Sequence, residues 1–228
     1  MQYGLTDNKE ETLQDIKCDF CDEFAGGQLN AFADRYSDVL STRALLNTGT
    51  FCVFPSIGQL VEGYLLISPL EHYSTLADMP DHLLAGIAAL HGDVCSVASA
   101  EYGPCISYEH GAHPETGGGC GVYHAHLHVV PLGKHVDPVD ALTAELPFER
   151  IDDLLDLRRA QGRSYLYYED LSERRYLFRA DNLPSQYLRR LLARTLGLSA
   201  WNWRECRKEG ALVSTITRLS GQLRLPGG

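Results

Sequence analysis

Nine histidines occur in this 228-residue chain, and three of them, His124, His126 and His128, fall within the stretch Tyr123-His124-Ala125-His126-Leu127-His128-Val129-Val130-Pro131. A neutral imidazole is a good nucleophile toward phosphorus. It also titrates near neutrality and can move a proton either way. Alternation with Ala, Leu and Val predicts a strand. Side chains two apart then share a face, so the three imidazoles form one row with neighbours about 6–7 Å apart at Cα. Ala125, Leu127 and Val129 take the opposite face. A purely structural strand is a poor explanation, because three adjacent imidazoles are costly to bury without partners. Just upstream, Gly117-Gly118-Gly119-Cys120-Gly121 can aim backbone N–H groups at an anion and let it approach closely. A flexible hairpin loop would carry the same glycines, but beside the histidine row they gain weight. Together the two stretches point to phosphoryl or nucleotidyl chemistry through a histidine-linked intermediate.

Metal chemistry competes. His-x-His on a strand offers two imidazoles to one zinc, and three can give an open catalytic zinc with a bound water. Cys18-Asp19-Phe20-Cys21 has a two-residue spacer suited to a metal knuckle, but no second pair follows, so other ligands are needed. A divided arrangement uses everything: one triad histidine joins Cys18, Cys21 and His72 in a closed Cys₂His₂ site, and the other two face the substrate.

The positioning elements follow from local pattern. Residues 1–17 are polar and predict a flexible arm. A short helix is expected over 29–36, strands over 43–47 and 51–54, and a strand Gly63–Pro69 closed by proline. Asp81 is expected to cap a helix running to about residue 101, with Leu83, Leu84, Ile87, Leu90, Val94 and Val97 at helical spacing. A strand over 104–109 precedes the glycine loop and the histidine strand. Beyond Pro131 the pattern predicts helices over 151–161, 184–196 and 212–219 and a hairpin over 164–169 and 175–179. The order predicts an α+β fold with a largely antiparallel sheet. Residues 18–148 form the catalytic unit, and 149–228 an α/β extension packed on it.

The chain carries a formal net charge of −10 and only four lysines. That argues against nucleic acid and anionic membranes as partners. No charged-then-apolar leader pattern opens the sequence and no apolar run approaches 18 residues, which predicts a soluble, cytoplasmic protein. Seven irregularly spaced cysteines fit free thiols or a metal better than disulfides. His110 and His113 are expected to be exposed loop residues, His91 and His135 surface residues, and Arg189 and Arg190 an exposed helix face. Glu109 is expected to hold structure, and Trp201 and Trp203 to anchor a terminal segment.

The stretch 123–131 resembles the signature of the histidine triad (HIT) superfamily, His-x-His-x-His followed by apolar residues. Gly63–Pro69 with His72 resembles that family's preceding motif, and Cys18-x-x-Cys21 the knuckle of its zinc-containing branches. The resemblance covers about residues 18–135. It implies a HIT-like fold, a five-stranded antiparallel sheet with helices, commonly paired as a homodimer. It implies a nucleotide or nucleotide-conjugate substrate, with His126 as the nucleophile that takes a nucleoside monophosphate and His128 contacting the phosphate. Gly119, Cys120 and Gly121 would line the phosphate loop, with Tyr64 near the nucleotide or just behind it. His124, Cys18, Cys21 and His72 would hold a structural zinc. The sequence departs at Tyr64, where the family often has His, and at Gly121, where many members carry Ser. A zinc hydrolase and a nucleotide-binding module without turnover are the alternatives.

Overall fold

The computed structural model describes residues 18–113, 119–206 and 208–224. The expected arm 1–17 and the loop glycines Gly117 and Gly118 lie outside the described residues. Strands β1 (Leu46–Asn47), β2 (Phe51–Pro55), β3 (Leu65–Pro69), β4 (Cys105–Gly111), β5 (Leu127–Pro131), β6 (Phe148–Ile151), β7 (Tyr165–Glu169) and β8 (Arg175–Arg179) form one sheet in the order β1-β2-β3-β5-β4-β7-β8-β6. Every pairing is antiparallel. The fold is α+β. The first five strands form the expected five-stranded unit. The C-terminal segment continues it, because β7 pairs along the outer edge of β4 (Tyr108↔Tyr168, His110↔Leu166). The expected division at 148/149 falls inside β6.

Both faces of the sheet are covered, so its strands are apolar on both sides. On one face Val53, Leu65, Ile67, Leu127, Val129 and Tyr167 meet helix α3 (Asp81–Tyr102) through Leu84, Ile87, Leu90, Val94 and Ala98. The strand alternation sends Phe54, Leu66, Tyr108, Val130, Leu166 and Tyr168 to the other face. There they meet α1 (Asp19–Phe24) and α5 (Tyr187–Thr195). Helices α2 (Ala31–Tyr36), α4 (Val139–Glu145) and α6 (Glu209–Leu219) complete the described set. By length and apolarity alone α3 could cross a membrane, with a mean hydropathy of 1.5 over 18 residues. Its apolar stripe is spent on the sheet instead.

Several expectations need correction. Pro80, not Asp81, is the N-cap of α3, and Asp81 pairs with Arg158. The helix expected over 151–161 is a strand end followed by a 3-10 helix, Leu154–Ala160. The strand expected over 43–47 shortens to Leu46–Asn47, because Arg43 is drawn inward to Glu23 and Pro55. Gly63, at φ +83, lies where any Cβ would fall 2.4 Å from the Tyr102 ring. Only glycine fits that corner before β3.

Candidate active site and metal centre

The triad straddles the start of β5. The β3–β5 register pairs Ile67 with Leu127, which would next bring Pro69 opposite Ala125. Proline has no N–H to continue the ladder. The freed Pro69 carbonyl accepts instead from His124 Nε2 at 2.9 Å. That bond fixes the His124 tautomer, since a carbonyl can only accept, and it leaves the Nδ1 lone pair facing the cysteines. Nδ1 lies 3.4 Å from Cys18 Sγ and 3.5 Å from Cys21 Sγ, and Cys21 Sγ lies 3.3 Å from His72 Nδ1. All four ligand atoms fall within 4.8 Å of one another. Tetrahedral zinc, with bonds of about 2.3 Å to sulfur and 2.0–2.1 Å to nitrogen, sets S···N separations near 3.6 Å. The donor set and spacing fit zinc. Burial and the neighbouring Cys18 push the Cys21 thiol up to about 12, a cost that a bound dication would reverse.

Cys18 caps α1 and Cys21 lies within it, so this centre joins α1 to the triad. Arg43 reinforces the joint. Its guanidinium donates twice to Glu23 of α1 at 2.7 Å, donates to Pro55 O of β2, and lies 4.5 Å from the Phe54 ring centroid.

His126 turns the other way. Its Nδ1 donates to the His124 carbonyl, so its Nε2 lone pair enters a pocket lined also by His128, Cys120, Arg43, Arg189 and Trp203. Cys120 Sγ lies 2.8 Å from that Nε2. Burial pushes the Cys120 thiol up to about 11, although the Val122 and Cys120 amides pull it down. Cys120 is therefore a neutral donor to His126 at pH 7, not a thiolate nucleophile. His128 stacks on Tyr108 at 4.2 Å, and its Nδ1 lies 2.8 Å from the hydroxyl of Tyr64, which also bonds Tyr108. Tyr64 is fully buried and stands behind His128, away from the pocket lining. Burial lowers all three triad imidazoles, His124 to about 4. The row is thus divided between two tasks.

The loop is held from outside. The Gly119 carbonyl accepts from Gln186 N (2.7 Å), that of Cys120 from Trp203 Nε1 (2.9 Å) and that of Gly121 from Arg204 Nη2 (2.8 Å). A trans peptide points C=O and the next N–H in opposite directions. The amides of residues 120–122 therefore turn away from the C-terminal segment. Gly121 has φ +88, and a Cβ there would lie 2.6 Å from Arg204 Nη1. Arg204 is long enough to swing aside, so the backbone bears the cost. Gly121→Ser is expected to destabilise by about 1–2 kcal/mol, measured as a shift in urea midpoint. An unchanged midpoint would show that the loop relaxes freely.

Three residues expected at the surface are buried. His91, on the inner face of α3, is held by Ser107 of β4 and by Cys95 one turn on, and Arg189 packs against Tyr64. His110 lies in β4 beneath β7, with burial lowering it to about 4. His135 is exposed as expected, and His113 is half-buried. Glu109 does hold structure, accepting from Leu76 N at 2.9 Å and from the Tyr165 hydroxyl. Burial raises its carboxyl from 4.5 to about 8. Between those values the native state keeps a proton that the unfolded chain has lost, so stability falls as pH rises, by at most about 1.4 kcal/mol per pH unit. Glu109→Gln is expected to flatten that slope in urea unfolding at about pH 5 and pH 8. An unchanged slope would assign it to another group.

No family model and no curated protein matches the chain. Among solved structures it is similar to a zinc-bound histidine triad family protein from Mycobacterium smegmatis, at 22% identity over 63% of this chain and 88% of that one, with a TM-score of 0.40. A hypothetical histidine triad nucleotide-binding protein from Sulfolobus tokodaii is 16% identical over 52% and 71%, with a TM-score of 0.39. Yeast Ap4A phosphorylase in complex with Ap4A is 14% identical over 64% and 62%, with a TM-score of 0.41.

Sequence reasoning missed Arg43 and Gln186, and it set Arg189 on an exposed helix face where the structure buries it. Trp203 does anchor its segment as expected: its Nε1 donates to the Cys120 carbonyl of the loop and its N to Gln186 Oε1. A lone arginine carries no sequence signal for burial, and its position here depends on which segments meet across the sheet.

Proposed function

We propose that this chain is a histidine triad enzyme that transfers a nucleoside monophosphate group through a covalent nucleotidyl-histidine. The observation that carries this is the His126 tautomer: Nδ1–H is committed to the His124 carbonyl, which presents the Nε2 lone pair in the pocket. Cys120 swings aside on its single side-chain torsion when substrate enters. Nε2 then attacks phosphorus, an N–P bond forms and the bond to the leaving oxygen or nitrogen breaks. We assign Tyr108 as donor to Tyr64 and Tyr64 as donor to His128 Nδ1, which places the His128 ring proton on Nε2. That N–H faces the pocket, binds a phosphate oxygen and protonates the leaving group. Water or another acceptor then attacks phosphorus and gives its proton to the His128 Nε2 that the first step left bare, and the N–P electron pair returns to His126.

A zinc held by Cys18, Cys21, His72 and His124 would supply no reacting group in this reading. It would fix α1 and the His124 backbone, and through it His126. Seven free cysteines fit a reducing, cytoplasmic setting. A homodimer would use a surface other than the outer edge of β4, which β7 covers.

The decisive test is incubation with nucleoside phosphoramidates, dinucleoside polyphosphates and nucleotide sugars, followed by intact-mass analysis for an acid-labile adduct on His126. Product formation with no adduct under single-turnover conditions would remove the covalent step. Tight nucleotide binding with neither product nor adduct would leave a binding module.

One observation favours a second reading. Cys120, His126 and His128 offer ligand atoms within 4.8 Å of one another, a set suited to an open zinc site. Two zinc equivalents per chain, one of them retained in Cys18→Ser, would support it, and a single equivalent lost entirely on Cys18→Ser would refute it. The cationic Arg189 lining the same pocket works against a dication there.

A further inference from the structure

A buried guanidinium without a counterion stands on the wall of the triad pocket. Arg189, in α5, is only 2% exposed. Its Nε donates to Trp201 O at 3.0 Å and its Nη2 to Gly58 O at 2.6 Å, and it lies 5.6 Å from the Tyr64 ring centroid. All of these partners are neutral. Arg43, the other buried arginine on this pocket, is paired twice with Glu23. Among the described residues, no carboxylate pairs with Arg189. An uncompensated buried charge is expensive, and an anion in the pocket would complete it.

A second orphan lies on the same pocket. His128 Nε2 is buried and has no hydrogen-bond partner among the described residues. A cation and an unsatisfied ring nitrogen lining one cavity, beside a loop whose amides turn away from the C-terminal segment, describe an anion site rather than a metal site.

We propose that Arg189 binds a phosphate group of the substrate, sharing it with His128 Nε2. The planar fork of arginine suits phosphate oxygens, and its charge neutralises the anion. The inference rests on the nucleotidyl-transfer reading above and deepens it. It makes the C-terminal segment part of the substrate site: one residue of it binds the anion, while Gln186, Trp203 and Arg204 set the loop.

The test is calorimetry on the full chain in a His126→Ala background, where no covalent step can occur. The probes are inorganic phosphate, AMP and adenosine. Adding Arg189→Gln is expected to weaken phosphate and AMP binding at least tenfold and to leave adenosine binding unchanged. Unchanged AMP affinity, or equal loss for AMP and adenosine, overturns the proposal. Should the glutamine variant not fold, Arg189→Lys decides. Phosphate binding retained but several-fold weaker supports the arginine fork, and affinity equal to the parent's overturns it. The two readings fail separately. Charge-selective loss at Arg189 with no adduct on the wild-type protein removes the covalent step alone. A normal adduct with an Arg189→Gln KM equal to the wild type's removes the Arg189 assignment alone.

Discussion

Replacing His126 by alanine is expected to reduce turnover of any accepted nucleotide conjugate by at least about 10³-fold, because the variant has no group to form the N–P bond. Binding should survive, since Arg189, His128 and the loop amides remain. The loss therefore falls on kcat and not on KM. His128→Ala should be milder, about 10–10²-fold, because it removes a proton donor and a phosphate contact while leaving the nucleophile. Single-turnover assays with intact-mass detection separate the two: adduct formation is absent in the first variant and slowed in the second. A His126→Ala protein as active as the parent would remove the proposed function outright. Cys120→Ala is a useful companion. Its thiol sits on the attacking nitrogen, so its removal should leave adduct formation intact or speed it. A loss comparable to that of His126→Ala would instead make the sulfur part of the chemistry.

The parts of this site that were legible in the sequence are those whose geometry is local. His124, His126 and His128 were readable because period two fixes their shared row, and Ala125, Leu127 and Val129 do pack on the opposite face. Cys18 and Cys21 were readable from spacing. The structure brings His72 and His124 to them from 51 and 103–106 residues away, measured from Cys21 and Cys18. The division of labour within the row was not readable from spacing. It arises from two backbone carbonyls, Pro69 O and His124 O, that pin opposite ring nitrogens.

Long-range burial was equally hidden. His110 looks like a loop histidine until β7 covers β4, and Arg189 looks like helix surface until α5 docks over the triad face. The misread segment near 151 has a concrete cause. Ile151, Leu154, Leu155 and Leu157 have helix-like spacing, yet Phe148–Ile151 pairs with β8 at the sheet edge and only a 3-10 turn follows. Pairing partners outweighed local periodicity. The same continuity explains why the C-terminal residues act on the loop at all: a segment that extends the sheet by three strands returns α5 over the triad face.

Loss of the metal centre is the second large effect expected. Cys18→Ser, or chelation of the parent protein, should release one zinc equivalent and lower the melting temperature by about 10 °C, as expected for a loss of about 3–5 kcal/mol in a chain of this size. The argument lies in what the four ligands join. Helix α1 has six residues, too few to be stable alone. Its apolar contribution is Phe20 and Phe24 against Phe54 and His124, and its polar tie is the Glu23–Arg43 pair. Removing one ligand leaves those contacts to hold it unaided. Turnover should fall with stability, because His124 gives His126 its orienting carbonyl. Zinc content by elemental mass spectrometry and thermal unfolding are read on the same samples, with Cys105→Ser as a cysteine control outside the centre. A zinc-free parent with an unchanged melting temperature would sink the metal assignment. The triad would then stand as three imidazoles oriented by the backbone alone.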